Sequence, residues 1–86
     1  MDKLAMLKRE LQMVTNANNE LLDNLLKAAE SFIKREGIKE DGSYEYVMIQ
    51  VQYAAYLFRK RSSNNTAMPR FLRYEMNNLL MSQKSK

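Results

Sequence analysis

A small all-α bundle of four helices is the expectation for this 86-residue chain, on three grounds. Apolar residues recur every three or four positions along most of its length, the spacing that gathers them on one side of a helix. The run over residues 44–61 contains neither glycine nor proline and exceeds the roughly ten residues at which strands usually stop. The glycines and the proline, Gly37, Gly42 and Pro69, fall between the periodic stretches, where chain reversals need them.

The first helix is expected at about 2–13, because Leu4, Leu7, Leu11 and Val14 form one stripe and leave Lys8, Arg9 and Glu10 to solvent. The cluster Thr15-Asn16-Ala17-Asn18-Asn19 then supplies side chains able to accept bonds from the unpaired amides of a helix start. A second helix at about 17–36 carries Leu21, Leu22, Leu25, Leu26, Ala29, Phe32 and Ile33, a face wide enough for two neighbours. Gly37 stands where a left-handed cap ends a helix, and Ile38 is placed to make the apolar contact that accompanies it.

Ser43 is a suitable N-cap for a third helix at about 44–61, with Glu45 favourable to the dipole of the first turn. Val47, Val51, Ala54, Ala55 and Phe58 mark its expected buried face. Its β-branched residues and tyrosines also suit a strand, but its length decides for helix. Residues 62–66, Ser-Ser-Asn-Asn-Thr, make a loop. Pro69 fits the first position of a fourth helix at about 69–81, since that amide would be unpaired in any case. Leu72, Met76, Leu79 and Leu80 lie on its inner side, and a flexible tail is expected from about residue 82. The whole, 1–86, reads as one domain without repeats and without a heptad pattern sustained enough for a coiled coil.

Composition excludes several chemistries. Without cysteine or histidine there is no disulfide framework, no Cys/His zinc site and neither the commonest general base nor the best nucleophile. No catalytic residue, metal ligand or cofactor site is expected. Glu40-Asp41 and the pair Glu20 and Asp23 are carboxylate pairs, yet acid–base work needs a shielded pocket that four short helices scarcely provide. No apolar run reaches the roughly 18 residues of a membrane span, and no signal-peptide pattern opens the chain, so a cytoplasm is the expected compartment.

The net charge of +4 is unevenly placed. Residues 1–58 carry seven Lys/Arg against nine Asp/Glu, whereas residues 59–86 carry seven Lys/Arg against Glu75 alone. Arg59, Lys60 and Arg61, joined by Arg70 and Arg73 on one face of the fourth helix, form the candidate surface for DNA or an acidic partner. Basic residues also suit a helix C-terminus whatever the function. Among five tyrosines and seven methionines, Tyr44, Tyr46, Met48, Tyr53, Tyr56 and Met68 are the candidate contacts between subunits, because both residue types favour interfaces. Core packing is the competing role for each.

The order of elements resembles the small head–tail connector (adaptor) proteins of tailed phages over nearly the whole chain. The stretch Asn18-Asn19-Glu20-Leu21-Leu22, followed by Leu25-Leu26-Lys27-Ala28-Ala29-Glu30-Ser31-Phe32-Ile33, is similar to the family's second helix. Val47 to Arg61 resembles its long apolar helix ending near an arginine. The closing helix of the family resembles Met68-Pro69-Arg70-Phe71-Leu72-Arg73 through Leu80. The Asn-rich region before the second helix, where the family is often acidic, and the short connection at 38–43 depart from its pattern.

The resemblance implies a structural protein and not an enzyme. Its copies, single in isolation or already associated, would close a ring below the portal by a head-to-tail contact. Portal protein, other head-completion or tail proteins and DNA passing through the channel without sequence specificity are the implied partners. The implied location is the virion head–tail junction, reached from the host cytoplasm, with no membrane involved. A small basic helical regulator that binds nucleic acid is the alternative.

Overall fold

In a computed structural model, describing residues 2–11, 19–62 and 68–84 with the side chains of 61 and 62 excepted, the chain is a four-helix all-α bundle. The helices are α1 (Lys3–Glu10), α2 (Asn19–Arg35), α3 (Tyr44–Ser62) and α4 (Arg70–Lys84). Val14, the capping cluster at 15–18 and the loop at 63–66 lie outside the described residues.

Local chemistry sets the helix ends. Asp2 caps α1 by accepting from the Ala5 amide at 3.1 Å, so the helix begins one residue later than its apolar spacing suggests. α2 closes in a Schellman arrangement: the Gly37 amide donates to the Lys34 carbonyl and the Ile38 amide to the Ile33 carbonyl. Gly37 has φ +93° there, and Ile38 and Ile33 are both buried. Ser43 caps α3, its Oγ accepting from the Tyr46 amide at 3.2 Å. The Pro69 carbonyl accepts from the Leu72 and Arg73 amides, so proline opens α4 from the cap position and the helix proper starts at Arg70.

A Cβ added at Gly37 would stand 3.6 Å from the Leu80 side chain, an ordinary contact, leaving backbone strain as the cost. Gly37→Ala is therefore expected to lose about 1–2 kcal/mol, checked by the urea midpoint at neutral pH. The loss would be accompanied by earlier exchange of the amides at the end of α2.

α3 is the central helix: α1, α2 and α4 each pack against it, and α1 also touches α2. Tyr46, Val47, Ile49, Gln50, Val51, Tyr53, Ala54 and Ala55 of α3 are all buried, more than the single face expected, and Phe58 is only half-buried. A helix enclosed on several sides keeps little solvent face over its middle turns, where Met48 and Gln52 are only partly exposed. Around it lie Leu7 of α1, Leu22, Leu26, Ala29 and Ile33 of α2, and Leu72, Met76 and Leu79 of α4. Gln50 enters this core by donating from Nε2 to the Leu26 carbonyl at 3.0 Å, and such a bond is what makes a buried amide tolerable.

The tail expected from residue 82 is helical as far as Lys84. Gln83 explains the difference. Its Oε1 accepts from the Lys39 amide at 2.8 Å, and its Nε2 donates to the Lys39 carbonyl at 2.6 Å and to the Asp41 carboxylate at 3.3 Å. This clamp ties the last turn of α4 to the connection between α2 and α3. Gln83→Ala should cost about 1–2 kcal/mol and release the last turn of α4, visible as lost amide protection at 80–84.

Candidate functional site

Of the five cations expected to converge on one loop, Arg59 is turned away. The Arg59 guanidinium donates to the Glu10 carbonyl at 3.3 Å, fastening the end of α3 to the end of α1. Lys60 lies over the Tyr56 ring, 5.8 Å from its centroid, within the range of a cation–π contact. The Arg61 backbone is in α3, and its side chain is outside the described residues. Arg70 and Arg73 are exposed on α4. Convergence on the loop is thus corrected for Arg59, whose hydrogen bond turns it toward α1.

The Phe32 and Tyr53 rings stack at 4.4 Å with an interplanar angle of 11°, and Tyr56 leans on Tyr53 at 5.7 Å. Burial raises the Tyr53 hydroxyl above its ordinary value, with Tyr56 and Glu36 adding to the effect, while Arg35 and Arg73 pull against it. Lys60 borders this aromatic cluster through Tyr56. The rings are packed on one another and on the core, which leaves them unsuited to stacking on bases.

Two of the candidate subunit contacts are corrected. Tyr46 and Tyr53 are 0% and 8% exposed because α3 is enclosed by its own neighbours, so neither is presented to another chain. Tyr56 and Met68 are half-buried and pack on the core. Tyr44 is well exposed, and with half-buried Met6 and Met48 and buried Val51 it lines a surface groove between α1 and α3, together with Arg9 and Glu10.

Among the described residues, the other large exposed apolar side chains lie on α4. Phe71, Tyr74 and Met81 are 54%, 65% and 65% exposed, on the side of the helix opposite Leu72, Met76 and Leu79. Phe71 was not among the expected contacts. The signal that could have found it is a second apolar period in residues 71–81, out of phase with the core period.

Both carboxylate pairs, Glu20 with Asp23 and Glu40 with Asp41, lie exposed at the surface. Asp23 pairs with Lys27 at 3.2 Å, and Glu40 with Lys3 at 3.8 Å. Asp41, Glu45 and Glu75 line an open cleft with Ser43, Asn78 and Ser82. The Asp41 carboxyl is lowered by hydrogen bonds from Ser43, the opposite of what a general acid requires. Among the described residues no group of His, Cys, Asp and Glu is arranged to hold a metal ion, and no helix is long and apolar enough to cross a membrane. Compared with family models, curated proteins and solved structures, the chain matches none.

Proposed function

We propose that the chain is a structural assembly protein, a head–tail connector of a tailed phage or prophage that forms a ring below the portal. The observation that supports assembly is the outer face of α4, where Phe71, Tyr74 and Met81 stay exposed while the opposite face is sunk in the core. Large apolar side chains held exposed along one side of a helix suit a contact surface. The connector assignment itself rests on the resemblance of the helix order and of the apolar runs at 18–33, 47–61 and 68–80. In that role the portal and neighbouring head or tail proteins are its partners, and DNA passes through the ring without sequence reading. Arg70 and Arg73 would favour an anionic surface at the lumen or the portal.

Electron microscopy of the purified protein, alone and mixed with portal-containing particles from its own source, tests the reading. Rings, or extra density beneath the portal, are the expected result. Particles left bare, together with duplex binding that falls steeply with salt and is abolished by Arg70→Glu with Arg73→Glu, would replace it with the nucleic-acid regulator.

A further inference from the structure

The outer face of α4 has a register of its own. Phe71, Tyr74, Asn78 and Met81 are separated by three, four and three residues, the alternation of positions a and d in a heptad. All four are exposed. On this register Arg70, Asn77 and Lys84 occupy g positions, and Glu75 and Ser82 occupy e positions. The core residues of α4 use the remaining positions, so the seam and the core do not compete for side chains.

We propose that this face pairs with the same face of a second copy, the two α4 helices running parallel and in register. Charge selects the orientation. In a parallel pair a g residue meets the e residue five positions on in the partner helix, and Arg70 and Glu75 are separated by that interval. Among the described residues neither has an ion pair within its own chain, so two such pairs form across the seam without breaking any. An antiparallel pair would bring g positions together, setting Arg70 toward Lys84 of the other copy and like charge against like. Asn78 at an a position is the residue type that fixes register and favours two strands. Phe71 and Tyr74 supply most of the ring surface covered.

Two heptads would not hold isolated helices together. Here α4 is already folded on its own domain, so association spends no free energy on helix formation. The seam is short and its area small, which makes the pairing weak and concentration-dependent. The inference rests on reading this face as a contact surface and not on the connector assignment. A two-fold contact closes at two copies, so a ring would also need a second surface, such as the groove beside Tyr44 and Met48.

The cysteine-free chain makes the test direct. Asn78→Cys places a thiol at a position that meets itself only in a parallel, in-register pair. Ser31→Cys, exposed on α2, is the control. Under oxidised glutathione, which is reduced to two thiols as each disulfide forms, the Asn78→Cys chain should dimerise covalently and the control should not. Equal crosslinking of the two would overturn the proposal. Sedimentation equilibrium up to millimolar protein gives an independent reading. Arg70→Glu and Glu75→Arg should each weaken association by roughly three- to tenfold, and the two together should restore it. Single variants that associate like the parent, or a double variant that stays weak, would overturn the pairing even if rings were seen by microscopy.

Discussion

Leu72→Ala is expected to lower stability by about 2–5 kcal/mol, the range for truncating a fully buried leucine. Leu72 is 0% exposed and lies in the first turns of α4, where that helix meets α3. A domain of this size has roughly 4–13 kcal/mol in all, so the loss is a large share of it. The failure should begin locally. α4 is held by Leu72, Met76 and Leu79 on α3 and by Gln83 on Lys39; with the first of these anchors gone, hydrogen exchange in α4 should quicken more than in α2. Urea unfolding and exchange of the amides at 72–84 measure both effects. A loss under about 1 kcal/mol would mean that α4 does not pack on α3 as described.

Tyr46 should make the protein sensitive to alkali. Its side chain is fully buried, its hydroxyl has no hydrogen-bond partner among the described residues, and burial, with Glu30, Glu40 and Asp41 adding to it, pushes the phenol from 10.0 up to about 12. The folded state therefore holds this proton more tightly than the unfolded chain does. The resulting stability is fully present below about pH 10 and is lost progressively as the pH approaches about 12, by about 2–3 kcal/mol in total. Tyr53, raised in the same direction, adds to the trend.

Tyr46→Phe removes the titrating group and, with it, a buried hydroxyl that has no partner among the described residues. It should be more stable than the parent by about 1 kcal/mol at pH 7, and its advantage should widen above pH 10. Urea midpoints for both chains at a series of pH values decide the matter. Curves that fall in parallel above pH 10 would show that Tyr46 is not the group responsible.

The alkaline response and the α4 anchor also separate what was readable along the chain from what was not. The end of α2 and the start of α3 were readable because they depend on residues a few positions apart, whereas α4 runs on to Lys84 through a contact with distant Lys39. Ser43 accepts from the Tyr46 amide, and Gly37 and Ile38 close α2 on carbonyls of its last turn. The core stripes of α2 and α4 were readable for the same reason, since spacings of three and four place residues on one side of a helix whatever lies beyond it. The basic residues were readable as a group and not as a site, because charge says nothing about which way a long side chain turns.

By itself the sequence determined the fold class, the four helices within one to three residues at most ends, and the face each outer helix turns inward. Only the tertiary structure decided that α3 is enclosed on several sides, which places Tyr46 and Tyr53 in the core and leaves Tyr44 outside. It also decided that Gln83 clamps Lys39, that Arg59 turns to α1 and that Phe32 of α2 stacks on Tyr53 of α3. Periodicity is a property of one helix, whereas burial on a second side and contacts between distant residues depend on how many neighbours surround that helix and where they lie.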